Sequence, residues 1–151
     1  LRDDIETIHA ATDLLAEAKL SPELRNEALY YRAKAYTKQK ADKKAMEDYR
    51  ELAKDTRNPY GAEAKYQVAQ SLYDAKEYAA AEKELLNYIE QSTPHAYWLA
   101  RSFILLSDVY HATGKDLDAR QYLLSLQQNY QGNDDIESMI ESRLSKLKVE
   151  N

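Results

Sequence analysis

The sequence predicts an all-α fold of helical hairpins, and three observations predict it. The 151 residues hold 21 Ala and 19 Leu against 3 Val and 6 Ile, with only 6 Gly and Pro together. Ala and Leu favour helices, β-branched residues favour strands, and Gly and Pro punctuate the many turns of an all-β chain. Second, residues 29–52, 65–88 and 103–126 align without internal gaps, and each carries two small residues twelve positions apart: Ala33 with Ala45, Ala69 with Ala81, Ser107 with Ala119. Two antiparallel helices joined by a short turn approach most closely where both side chains are small. Third, apolar residues outside those segments also recur at helical spacing.

The elements follow in order. Ile5, Ile8, Ala11, Leu15 and Ala18 make a stripe that stops at Ser21-Pro22, which predicts a helix over 1–20, read as the second helix of an upstream repeat whose partner lies before Leu1. The chain thus reads as a piece of something longer. A first hairpin is expected over 24–58, with Tyr36 and Tyr49 as its large packing residues. A second spans 60–93 with Leu72 and Leu85, and a third spans 96–131 with Tyr110 and Leu123. Pro59 and Pro94 follow the second helices, where Pro ends one helix and helps start the next. Trp98, beside Pro94, is expected to staple the junction between the second and third hairpins. Asn133 or Asp134 can cap a terminal helix over 134–149 that carries Ile136, Met139, Ile140, Leu144 and Leu147. Arg143, Lys146 and Lys148 near its end suit the helix dipole.

These residues resemble the tetratricopeptide repeat over about 22–132. The third copy, Phe103, Leu106-Ser107, Tyr110 and Gly114 with Ala119, Leu123 and Leu126, follows the motif well; so does the second, Val68-Ala69 and Leu72, then Tyr78 and Ala81. Lys40 and Lys76 stand at the turns where the family prefers Gly, and Asp42 and Asp116 where it prefers Tyr. The resemblance implies a right-handed α-α superhelix, a solenoid whose first helices line a concave surface. The slightly long repeat and the Ala and Tyr content resemble bacterial envelope proteins with such arrays, which makes an envelope or periplasmic location the preferred expectation and the cytoplasm the alternative.

Charge and motifs narrow the function. The net charge of -5 disfavours a polyanion as main partner. The distribution is uneven: residues 25–57 hold 10 basic and 6 acidic groups, whereas 58–142 hold 6 basic and 13 acidic. The basic run Lys38, Lys40, Lys43 and Lys44 reads as a solvated turn. With no Cys, thiol catalysis and Cys-ligated metals are excluded. The longest apolar run is 96–100, too short to span a bilayer. His9, His95 and His111 sit on separate repeats, without a metal motif, a phosphate loop or a nucleophile elbow. The acidic group Asp134-Asp135 with Glu137 lacks calcium-loop spacing and reads as a helix start. No catalytic residue, cofactor or metal is expected.

What remains is binding of a protein or peptide partner. First-helix residues pointing away from the close-packing positions should be open to a ligand: Tyr30 and Lys34, then Tyr66, Gln70 and Tyr73, then Arg101, Ile104, Asp108 and His111. Rings, amides and mixed charge suit a helix or an extended peptide. The three Tyr also fit a plainer role, packing against neighbouring repeats. The family's clamp for chaperone tails, built from Lys and Asn, falls here on Tyr30, Lys34, Gln67, Arg101 and Leu105, of which Arg101 alone keeps the type. The expected function is therefore a non-catalytic interaction scaffold. The alternatives are an intracellular regulatory or nucleic-acid-associated module, or self-association through the N-terminal helix.

Overall fold

The computed structural model describes residues 2–147, which form eight α-helices and no strand. The chain divides into two compact units, Leu1–Lys65 and Tyr66–Asn151. Among the described residues no helix is long and apolar enough to cross a membrane.

In the first unit, α1 (Arg2–Leu15) ends earlier than the stripe to Ala18 predicts. The Ala16 N–H is shared between the carbonyls of Thr12 and Asp13, and Glu17 N–H donates to the Leu14 carbonyl at 3.1 Å, so the last turn tightens and closes. Ser21 then caps α2 (Pro22–Lys38): its hydroxyl accepts the Leu24 N–H at 3.2 Å, and Pro22 supplies the first helical residue. Helix α2 packs against both α1 and α3 (Asp42–Leu52). Asp48 on α3 is buried, and Arg32 on α2 meets it through two parallel hydrogen bonds of 2.8 and 2.7 Å. Helix α4 (Pro59–Asp74) begins in this unit. Gly61 in its first turn is required: a Cβ there would lie 1.8 Å from the Asp55 carbonyl oxygen. Between α1 and α2 lies an apolar groove of about 400 Å³ lined by residues such as Leu14, Leu24 and Tyr31, the last two half exposed.

The second unit holds the rest of α4 with α5 (Tyr78–Glu90), α6 (Ala96–Ala112), α7 (Asp116–Asn129) and α8 (Ile136–Leu144). One core cluster gathers Ala69, Ala81, Leu85, Leu106, Val109 and Ala119; a second joins Ala100, Ile104, Leu123, Leu126, Ile136 and Ile140. Trp98 packs against the first cluster. Helix α6 is the most enclosed, burying eight residues from Ala100 to Tyr110. All six small residues of the twelve-residue pairs are buried, none more than 3 % exposed.

The three hairpin turns share one geometry. Lys40, Lys76 and Gly114 have φ of 59°, 62° and 79°, and the next residue's N–H reaches back five positions: Ala41 to Tyr36 O, Glu77 to Leu72 O, Lys115 to Tyr110 O, at 2.9, 2.9 and 2.7 Å. This is a Schellman closure, which wants a left-handed residue and therefore glycine. The two Lys adopt it without glycine.

The terminal helix is shorter than expected. It starts at Ile136 because Asp134 Oδ1 accepts the Ile136 N–H at 3.0 Å and Asp135 takes the cap position, not Asn133 or Asp134. It ends at Leu144; Lys148 and the predicted end at 149 lie outside the described residues.

Candidate functional site

Tyr30 and Lys34 lie one turn apart on α2, so both face Glu63 near the start of α4. The Tyr30 hydroxyl donates to Glu63 Oε1 at 2.8 Å; Lys34 Nζ is 3.8 Å from Glu63 Oε2 and 4.9 Å from the centre of the Tyr30 ring. Tyr60 stacks on Tyr30 at 4.5 Å between ring centres. Burial raises the Tyr30 phenol above its ordinary range, and a hydrogen bond from the Lys34 ammonium to the Tyr30 oxygen strengthens the hold of Lys34 on its proton. Both residues are thus engaged within the first unit.

In the second unit a chain of hydrogen bonds runs through one arginine. Arg101 donates from one Nη to the Tyr66 hydroxyl and from the other to the Tyr97 hydroxyl, both at 2.9 Å. Each phenol passes its own proton onward, Tyr66 to Gln70 Oε1 at 2.9 Å and Tyr97 to Asp135 Oδ1 at 3.0 Å. Gln70 Nε2 continues to Asp74 at 2.8 Å. The guanidinium also lies over the Tyr66 ring at 4.9 Å, with Tyr97 and Trp98 just under 6 Å away, within cation–π range. The ring of Tyr66 is buried in the core, and burial raises its phenol. Tyr66 thus links Arg101 to Gln70 within one hydrogen-bonded chain.

Beside this chain is a cavity of about 390 Å³. Helix α4 gives it Gln70 and Tyr73, α6 gives Ser107, Asp108 and His111, and the end of α8 with the turn after it gives Arg143, Lys146 and Leu147. Arg143 Nε donates to Asp108 Oδ1 at 3.0 Å and Nη2 to Oδ2 at 3.3 Å. Burial raises the Asp108 carboxyl above the ordinary carboxylate range, while Arg143 opposes the shift. His111 Nδ1 is 2.8 Å from Asp116 Oδ1, with the proton's place set by the tautomer. Tyr73 is partly buried, and that burial raises its phenol. No group of three or more His, Asp or Glu able to hold a metal occurs among the described residues.

The nine residues expected to face a partner thus separate. Gln70, Tyr73, Asp108 and His111 line one cavity; Tyr66 and Arg101 join it through Gln70; Tyr30 and Lys34 form their own cluster. Ile104 is corrected: it is 1 % exposed, because α7 and α8 cover that side of α6 with Leu123, Ile136 and Ile140. The sequence reading missed Arg143, Lys146 and Leu147 as lining and took Ser107 for a spacer. Asp135 is at the helix start where the sequence puts it, as the cap of α8, but its bond from Tyr97 was not foreseen. Tyr97 was legible in part: it stands four positions before Arg101, the spacing that places two side chains on one helix face.

No family model, curated protein or solved structure matches this chain.

Proposed function

We propose that this chain is a non-catalytic interaction module of the tetratricopeptide kind, a right-handed superhelix of hairpins, and that the cavity of the second unit receives a peptide or helix of a partner protein. The supporting observation is that four side chains of the expected type, an amide, a phenol, a carboxylate and an imidazole, converge on one concavity from separate helices. Concave sites with a few convergent polar groups are where ligands bind. Its titratable groups argue for recognition over catalysis. Asp108 is held by Arg143 and His111 faces Asp116, which leaves neither as a poised acid or base next to a nucleophile. Gln70→Ala with Tyr73→Ala removes two partly buried lining side chains, Tyr73 at the edge of the core and Gln70 bonded to Tyr66, and leaves the fully buried residues in place. The pair is expected to weaken capture of a partner from the parent cell's lysate by at least about tenfold while far-ultraviolet circular dichroism stays the same. Equal capture by wild type and double variant excludes the cavity as the docking site.

A further inference from the structure

The hydrogen-bonding balance of that cavity names the chemistry of its occupant, an inference that rests on the docking reading above. Asp108 is the one carboxylate among the described lining residues, and Arg143 takes both of its oxygens. Gln70 is engaged at Oε1 by Tyr66 and at Nε2 by Asp74, and His111 spends Nδ1 on Asp116. Three lining side chains have no hydrogen bond or ion pair with a described residue, Tyr73, Ser107 and Lys146, while His111 keeps its Nε2 and Gln70 one amide proton. Ser107 is 1 % exposed. The other two hairpins place Ala33 and Ala69 at the same point, so close helix packing needs only a Cβ there, and the hydroxyl of Ser107 is surplus to packing. Ser107 Oγ is not among the sealed, unpartnered side-chain atoms of the described residues, which are Tyr88 Oη and Arg101 Nε, so its hydroxyl opens on the cavity as an available donor.

All three leftover groups can donate, and with Arg143 already on both oxygens of Asp108, the single lining carboxylate, Lys146 is the cation in excess. An acceptor with a single negative charge satisfies them together, which is the description of a carboxylate. A dianionic phosphate fits less well, because the Asp108 and Asp116 carboxylates stand close by. Lys146 is exposed whereas Ser107 is buried, so the acceptor has to project inward from the mouth by about the length of a side chain. We propose that the cavity recognises the carboxylate of a Glu or Asp side chain within an internal segment of the partner, gripped by Lys146, Tyr73 and Ser107, with an adjacent apolar residue resting on Leu147.

The test uses the whole chain and matched pools of nine-residue peptides, acetylated and amidated at their ends, randomised except for a central Glu in one pool and Gln in the other. A third pool has a central Gln and a free terminal carboxylate. In fluorescence polarisation the Glu pool is expected to bind about tenfold or more tightly than the Gln pool. Lys146→Gln is expected to erase that difference, Lys146→Arg to keep most of it, and Ser107→Ala to weaken Glu-pool binding with no loss of melting temperature. Equal binding of the Glu and Gln pools, both lost in Tyr73→Ala, overturns the carboxylate assignment and leaves docking standing. Binding of the free-terminus pool alone overturns the internal side chain as the source. If no pool binds, the docking reading fails and this inference fails with it.

Discussion

Arg32 reaches two other helices at once. Its Nε and Nη2 grip Asp48 on α3, and its Nη1 donates to the Thr12 hydroxyl on α1 at 3.1 Å. The Asp48 side chain is 5 % exposed, so its charge depends on this partner. A buried pair adds little net stability, yet removing one member strands the other. Arg32→Ala is expected to destabilise the chain by about 3 kcal/mol in urea unfolding, and Arg32→Ala with Asp48→Ala to recover part of that loss. A single variant within about 0.5 kcal/mol of wild type would contradict the pairing. The sequence shows ten basic residues in this stretch without showing which is spent on a buried acid. The same holds for Arg101 and Arg143. Both look like free cations along the chain, and both are bound by groups 35 residues away.

The hairpin turn is the element that recurs, and its sequence varies while its shape does not. Lys40 and Lys76 hold the left-handed conformation that Gly114 holds, at a cost of about 1–2 kcal/mol each for a residue with a Cβ. Glycine removes that cost but gives back about 0.5–1 kcal/mol in chain entropy. Lys40→Gly and Lys76→Gly are each expected to raise the urea midpoint by the equivalent of about 0.5–1 kcal/mol, and Gly114→Ala to lower it by about 1 kcal/mol. A fall in both Lys variants would mean that the ammonium groups contribute more than the backbone strain removes. The helical character was legible, because apolar residues recur at helical spacing along the chain. Helix ends were less so: α1 stops at Leu15 through a shared N–H, and α8 starts late because Asp134 turns back on the backbone, neither of which apolar spacing records.

At the scale of the whole chain, tyrosine dominates the aromatic content, with 13 Tyr against one Phe and one Trp. Burial is the largest cause of a raised phenol at eight of them: Tyr30, Tyr49, Tyr60, Tyr66, Tyr73, Tyr88, Tyr110 and Tyr130. Tyr130, whose hydroxyl donates to Asp134, is pushed up to about 12. A phenol whose folded value lies above its unfolded value near 10 keeps its proton longer in the folded chain. The stabilisation is then complete below pH 10 and is lost as pH rises through the folded value. The melting temperature is expected to fall between about pH 10 and 12, together with the rise of phenolate absorbance. A melting temperature that stays flat while phenolate appears would contradict the burial of these rings.

By itself the sequence determined that the chain is helical and that it carries no thiol, no metal motif and no span of apolar residues, because each of these is a matter of local composition and spacing. Tertiary structure decided which polar side chains are spent and which are left. Ile104 went to the core once α7 and α8 covered it, and Arg101 went to Tyr66 and Tyr97. Lys146 arrived beside Tyr73 and Ser107 from the far end of the chain. Periodicity fixes the face of a helix on which a residue stands; only packing between helices distant in sequence fixes what that face meets.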